Sequence, residues 1–314
     1  MKNLFSYTVY QDPGVFGDDI PGFLTEHRCD GLELLTSFEQ PPAVFSPSVV
    51  TVHLPYAIDW LSAWEGRSYD VDDMELRLIS FGRDRDEIVS NIRGAILSVS
   101  HLNPAHGVMH ACNADISEIY MRSYSRSDSY VVDAFCEMMN ESMSCFPGSE
   151  PPFRIVFENL WWPGLRMLDD SGYRILDRKL EFDNWGLCVD TGHMMSCIPK
   201  VYTEEDGIDA LLKVFDGYPQ DMVDSISAMH FHYSASGRYR ESFEERGFDD
   251  NTDVSERITQ AFSHVGRIDQ HLPFTSQRCN ELVDALMPEH LIHELPGQGD
   301  SLMGDFDMQR KLIR

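Results

Sequence analysis

Short apolar segments of four to six residues alternate along this chain with longer amphipathic ones, from one end to the other. The short segments are Leu4–Val9, Gly31–Leu35, Val49–His53, Gly107–His110, Phe153–Phe157, Gly186–Val189, Ile226–Phe231 and His290–His293, and each reads as a buried strand. Between them lie helical periods. Ile88, Ile92, Ala95 and Val99 keep one face, as do Ile208, Leu211, Leu212 and Phe215, and as do Cys279, Leu282, Val283, Leu286 and Met287 in what reads as the last long helix. Eight strands separated by helices, with no linker, repeat or low-complexity tract, predict an α/β fold: a closed (β/α)8 barrel as one domain over residues 1–314. An open doubly wound sheet is the alternative, but no glycine-rich phosphate loop follows the first strand. The polar stretch 237–266 reads as an elaborated loop after strand seven.

Composition narrows this picture. A length of 314 residues with 42% hydrophobic content suits one large core. No apolar run approaches the roughly 18 residues of a membrane helix, and the polar first residues do not resemble a secretory signal. A cytoplasmic protein without membrane contact is expected. Seven cysteines without a C-x-x-C pair argue against disulfides and cysteine-rich zinc sites. Fifty-two acidic residues against 25 basic ones give a net charge of -27. Such a charge repels polyanions, so nucleic acid is disfavoured unless bound cations offset it locally.

Catalytic groups of barrels gather at the C-terminal ends of strands. Here those ends carry His53, His110, Glu158, Asp190 with His193, His230 with His232, and Glu294, while Asp269 and His271 stand in the segment before the last of these helices. Singly, each has a modest explanation. Glu158-Asn159 could cap a helix, and Asp269-Gln270-His271 could be a polar turn. Glu33 could point into the site or help close the barrel, and His27, His101, His106, His264 and His290 read as solvated or local. Jointly they are different. Imidazoles and carboxylates are costly to bury unless paired or bound to metal, and they form the ligand set of Zn2+, Mn2+ or Fe2+. Nine of these groups, leaving His232 aside, already exceed what one ion uses, so two or three ions are expected.

The ordered motifs H-x-P-Y, H, E-N, D-T-x-H, H, D-x-H and E resemble those of the xylose isomerase-like TIM-barrel superfamily, and within it most resemble the apurinic/apyrimidinic endonuclease IV family. The resemblance runs from His53 to Glu294. It implies three metal positions, occupied by zinc and in some members manganese. The first would be held by His53, His110 and Glu158. The second would be held by Asp190, His230 and Glu294, with Glu158 bridging. The third would be held by His193, Asp269 and His271. It further implies hydrolysis of a phosphodiester, with Glu158 and Glu294 as the catalytic carboxylates and Tyr56 as a substrate contact. His232, which departs from the family's small polar residue, is expected as a second substrate contact.

Several departures bear on the substrate. The segment Leu35-Thr36-Ser37-Phe38-Glu39-Gln40-Pro41-Pro42 lacks the basic DNA-penetrating residue of that family, and Leu272-Pro273-Phe274 replaces its glycine-containing turn. Arg238, Arg240, Arg246, Arg267 and Arg278 could supply a local patch for phosphate. Two functions therefore stand: a metal-dependent phosphoesterase acting at abasic sites in DNA or on another sugar-phosphate ester, and a sugar isomerase or epimerase of the same superfamily. A non-catalytic metal-binding barrel is a third.

Overall fold

All eight apolar segments form strands, with ends within two residues of those expected: β1 Lys2–Thr8, β2 Gly31–Leu35, β3 Val49–His53, β4 His106–His110, β5 Arg154–Glu158, β6 Trp185–Asp190, β7 Ile226–His230 and β8 His290–His293. The computed structural model describes residues 1–17, 19–67, 73–249, 251–296 and 299–314. The strands pair in parallel in chain order, and β8 closes on β1 to complete a (β/α)8 barrel. No helix among the described residues is long and apolar enough to cross a membrane.

Alternation along each strand explains the interior. Successive side chains point to opposite faces, so residues two apart share one. Val108, Val156, Cys188, Ala228 and Ile292 pack together with Leu4 inside the barrel. Two residues further along their strands stand His110, Glu158, Asp190, His230 and Glu294. The apolar layer thus forms a floor, and the same period that builds it lifts the chemistry-bearing layer to the C-terminal mouth. The outward faces pack on the helices in a separate, larger core.

Ile88, Ile92, Ala95 and Val99 are buried on the helix Arg85–Ser100, whose N-terminus is capped by the Asp84 carboxylate. Ile208, Leu211 and Phe215 are buried on Glu204–Phe215, which opens with a reciprocal cap between Thr203 and Asp206. The helix Cys279–Leu286 ends before Met287, which adopts a left-handed φ of 45° and is 78% exposed. It is not the last long helix: Gly299–Leu312 follows, and its Phe306 packs edge-on against Phe5 with ring centroids 5.1 Å apart.

The stretch 237–266 is not a loop. It contains the helices Gly237–Ser242 and Val254–Ile268. The latter buries Ile258, Ala261, His264 and Ile268, a helical period diluted by the polar and small residues between them. Ile258 reaches Ile79 and Ile116, and Ala261 and Ile268 join the cluster of Trp161 and Trp162. This segment therefore lies across the connections that follow β3, β4 and β5.

Candidate metal centre

The strand register sets His110 beside Glu158 and Asp190 beside His230. Three groups of ligand atoms result. His53 Nε2, His110 Nε2 and a Glu158 oxygen stand at mutual distances of 3.2 Å. Ligands about 2.0–2.1 Å from a tetrahedral zinc ion are about 3.3 Å from one another, so this triangle has the edge length of such a coordination shell. His230 Nδ1 lies 3.2 Å from Glu158, 3.0 Å from Glu294 and 3.7 Å from Asp190. Asp269 lies 3.1 Å from His193 Nε2 and 2.7 Å from His271 Nε2. Each group brings its ligand atoms within 4.8 Å of one another. Glu158 belongs to the first two groups, and its second oxygen is 3.1 Å from His193 Nδ1. His232, His271 and Glu294 form a further overlapping set.

Local structure holds these atoms in place. The Nδ1 atoms of His53, His193 and His271 meet the carbonyls of Leu54 (2.7 Å), Asn159 (2.9 Å) and Glu294 (3.2 Å). A proton on Nδ1 donated to a carbonyl leaves the Nε2 lone pair for a cation, the usual second partner of a metal-binding histidine. Asn159 caps no helix. Its amide bridges β5 to β6, donating to the Asp190 carbonyl and accepting from the Asp190 N–H. Asp269 terminates the helix Val254–Ile268, so the folded segment after β7 delivers it over His193. His271 follows at a left-handed φ of 51°, a conformation costing roughly 1–2 kcal/mol in a non-glycine residue. Paired backbone hydrogen bonds between Tyr233 and Leu272 hold it there. Leu272-Pro273-Phe274 thus provides a bridge and an anchor, with Phe274 fully buried against Phe231.

Charge follows geometry. Burial alone would raise the Glu158 carboxyl, but His230 and His110 hold it well below the usual range. Burial would likewise lower the imidazoles. Asp190 and Asp269 nevertheless raise His193 well above its ordinary value, and Glu158, Glu33 and Glu294 do the same to His230. Asp269 and Glu294 raise His271 to about 10. Before a cation binds, these three histidines hold protons at pH 7. A divalent ion needs their lone pairs, so its binding expels protons. Calorimetric titration of Zn2+ into metal-free protein at pH 7, in buffers of different ionisation enthalpy, is expected to show release of about two to three protons. Affinity should climb with pH towards 10, because the raised values keep protons competing until then. Heats independent of the buffer would contradict this.

Other residues fall differently from the sequence expectations. Glu33, for which barrel closure is the favoured of two readings in the sequence, points into the site instead: it is fully buried with one oxygen 2.8 Å from His230 Nε2, out of line for a hydrogen bond, and the other accepting from Thr51. It forms a carboxylate–histidine pair behind the second ligand group. His106 and His290 are buried rather than solvated, in edge contact 5.0 Å apart inside the barrel, where burial lowers both. His232 is fully buried, with Nε2 2.9 Å from Asp190 and its ring stacked 4.0 Å from that of His271. It stands behind Asp190, which gives it a positioning place in this structure. Gly192 makes that possible, since a Cβ there would lie 2.1 Å from the His232 ring. Tyr56 is at the mouth, 38% exposed, its ring stacked 5.1 Å from that of His110. Beside it opens a cavity of about 330 Å³ lined by Thr36, Glu39 and Arg77 among others. The five arginines expected as a patch do not form one. Arg278 is tied to Glu205, Asp209 and Glu281, while Arg238, Arg246 and Arg267 lie over the rings of Tyr202, Tyr120 and Tyr239.

No protein-family model matches this sequence, and no curated protein matches it in sequence. Solved structures do match over essentially the whole chain. A D-tagatose 3-epimerase-like protein is 12% identical with a TM-score of 0.54, covering 99% of this chain and 97% of its own. Endonuclease IV from Thermus thermophilus is 11% identical with a TM-score of 0.53, covering 99% and 98%. A sugar phosphate isomerase/epimerase from Parabacteroides distasonis is 11% identical with a TM-score of 0.52, covering 99% and 97%. The likeness is one of fold: this chain shares the (β/α)8 barrel of these proteins.

Proposed function

We propose that this barrel is a metal-dependent phosphoesterase whose centre takes three divalent ions, zinc foremost, with manganese or iron as alternatives the donor set also suits. The observation that carries the reading is the third group. His193, Asp269 and His271 converge 2.7–3.1 Å apart on the edge of an already complete four-ligand cluster of Glu158, Asp190, His230 and Glu294. A proton-transferring isomerase uses one or two ions and has no need of them.

When bound, the ions would supply positive charge for a phosphoryl group and lower the pKa of a water. The chain's own part is definable. Glu158 ties the first two groups together through its two oxygens, and Glu33 holds the His230 ring from behind. Asp190 is held by His232 and Asn159. Tyr56 lies over His110 with room beside it for the organic part of a substrate.

That substrate is a small sugar-phosphate ester in preference to abasic DNA. The net charge of -27 opposes a polyanion, and the segment after β2 brings Glu39 to the mouth. The isomerase reading keeps one observation in its favour: the four-ligand cluster could hold an ion by itself, and an isomerase would use its two glutamates, Glu158 and Glu294, for proton transfer.

Protein purified without chelator or added metal should contain close to three ions per chain by inductively coupled plasma mass spectrometry, and should hydrolyse bis-p-nitrophenyl phosphate. One ion per chain, together with deuterium exchange into an aldose or ketose, would give the function to the isomerase.

A further inference from the structure

A second cavity, of about 310 Å³, adjoins the third ligand group. Ser196 and Ile268 line it, three residues after His193 and one before Asp269. Trp161 forms the shared wall, its ring 5.2 Å from that of His193.

The composition of this cavity is the reverse of the protein's. The chain has 52 carboxylates and only 25 basic side chains, yet the cavity is lined by three arginines and, among the described residues, by no Asp or Glu. Arg122, Arg166 and Arg240 come from three distant segments. Of the five arginines the sequence offers for a phosphate patch only Arg240 lines this cavity, and the sequence pattern does not announce Arg122 or Arg166. Arg240 is half-buried and fixed by the carbonyls of Ser196, Met195 and Ile198 at the end of the helix Thr191–Cys197. Its Nε is buried without a partner. Arg166 spends Nε on the Trp162 carbonyl and on Asp128, 3.3 and 3.1 Å away, which leaves its two terminal nitrogens for a ligand. Arg122 is anchored to the Phe243 and Glu241 carbonyls, stands 3.9 Å from the Glu245 carboxylate and is the most exposed of the three. Aromatic rings, Tyr120 and Tyr124 among them, complete the wall.

Asp128 and Glu245 compensate Arg166 and Arg122 only in part, at 3.1 and 3.9 Å, and Arg240 meets carbonyls alone; an oxyanion in the cavity would relieve the remaining repulsion and partial desolvation of the three guanidinium groups. We infer that this cavity is a subsite for a phosphate group at the far end of the substrate, away from the ester bond at the metal centre. The assignment deepens the phosphoesterase reading and rests on it for the identity of the substrate: a small molecule with two phosphate groups, one cleaved and one held. The binding of an anion itself depends only on the cavity.

The test separates the two. Inorganic phosphate is titrated calorimetrically into metal-loaded and into chelator-treated protein. A metal-independent binding event is expected in both, weakened roughly tenfold or more by Arg166→Met, weakened by Arg122→Gln, and unchanged by Asp269→Ala. Should Arg166→Met fail to fold by near-ultraviolet circular dichroism, the exposed Arg122→Gln carries the comparison. Phosphate binding that disappears with the metal, or that both arginine variants leave unchanged, overturns the subsite. A protein that binds phosphate without metal but hydrolyses no ester keeps the subsite and loses the phosphoesterase.

Discussion

Replacing Glu158 by Gln is expected to disable two ligand groups at once, leaving one ion per chain in place of the three proposed. Glu158 is fully buried, and its oxygens lie 3.1–3.2 Å from His53, His110, His193 and His230. A glutamine of the same shape fills the space, but its amide is neutral and offers one acceptor where the carboxylate offers two. It cannot join the first group to the second. Loss of the charge also releases the imidazoles, because His110 and His230 are paired electrostatically with Glu158. Ions contribute several kcal/mol each to charge stabilisation in a phosphoryl-transfer transition state, so phosphoester hydrolysis should fall by about 10³-fold or more. Metal content by mass spectrometry and turnover of bis-p-nitrophenyl phosphate are the two readouts. Three ions and activity within tenfold of the parent would remove Glu158 from its bridging place.

Asp269→Ala distinguishes the two enzyme classes. Asp269 touches only His193 and His271 among the ligand residues, and lies outside the first two groups. Its loss should leave two ions bound, since His53, His110, Glu158, Asp190, His230 and Glu294 keep their mutual distances. A phosphoesterase that needs the third ion should slow by about 10²-fold or more, consistent with the loss of one electrostatic stabiliser. An isomerase working from the four-ligand cluster should be little affected. Sugar proton exchange that survives Asp269→Ala, in a protein with no phosphoesterase activity to lose, would defeat the phosphoesterase reading.

The barrel is legible in the sequence because strands of four to seven residues, buried on both faces, make continuous apolar runs that stand out against polar connections. The helix Val254–Ile268 is not, because Ile258, Ala261, His264 and Ile268 include a histidine and an alanine, which dilute its apolar stripe. The final helix Gly299–Leu312 escapes for a similar reason: several acidic residues interrupt its apolar positions. The chain neighbours of Asn159 suggest a helix cap and those of Glu33 leave its role open, because their partners, Asp190 and His230, stand on other strands.

By itself the sequence determined the fold class, the order of the strands and the residues that cap their C-terminal ends. These are consequences of local periodicity: an alternation of two places every second side chain on one face, whatever the rest of the chain does. Only the tertiary structure decided which ends are neighbours. Barrel closure set His53, His110 and Glu158 at 3.2 Å, the helix after β7 carried Asp269 onto His193, and packing around Trp161 gathered Arg122, Arg166 and Arg240 about one cavity. Distances of that kind join segments tens to hundreds of residues apart. They are set by strand register and helix packing, which no local pattern encodes.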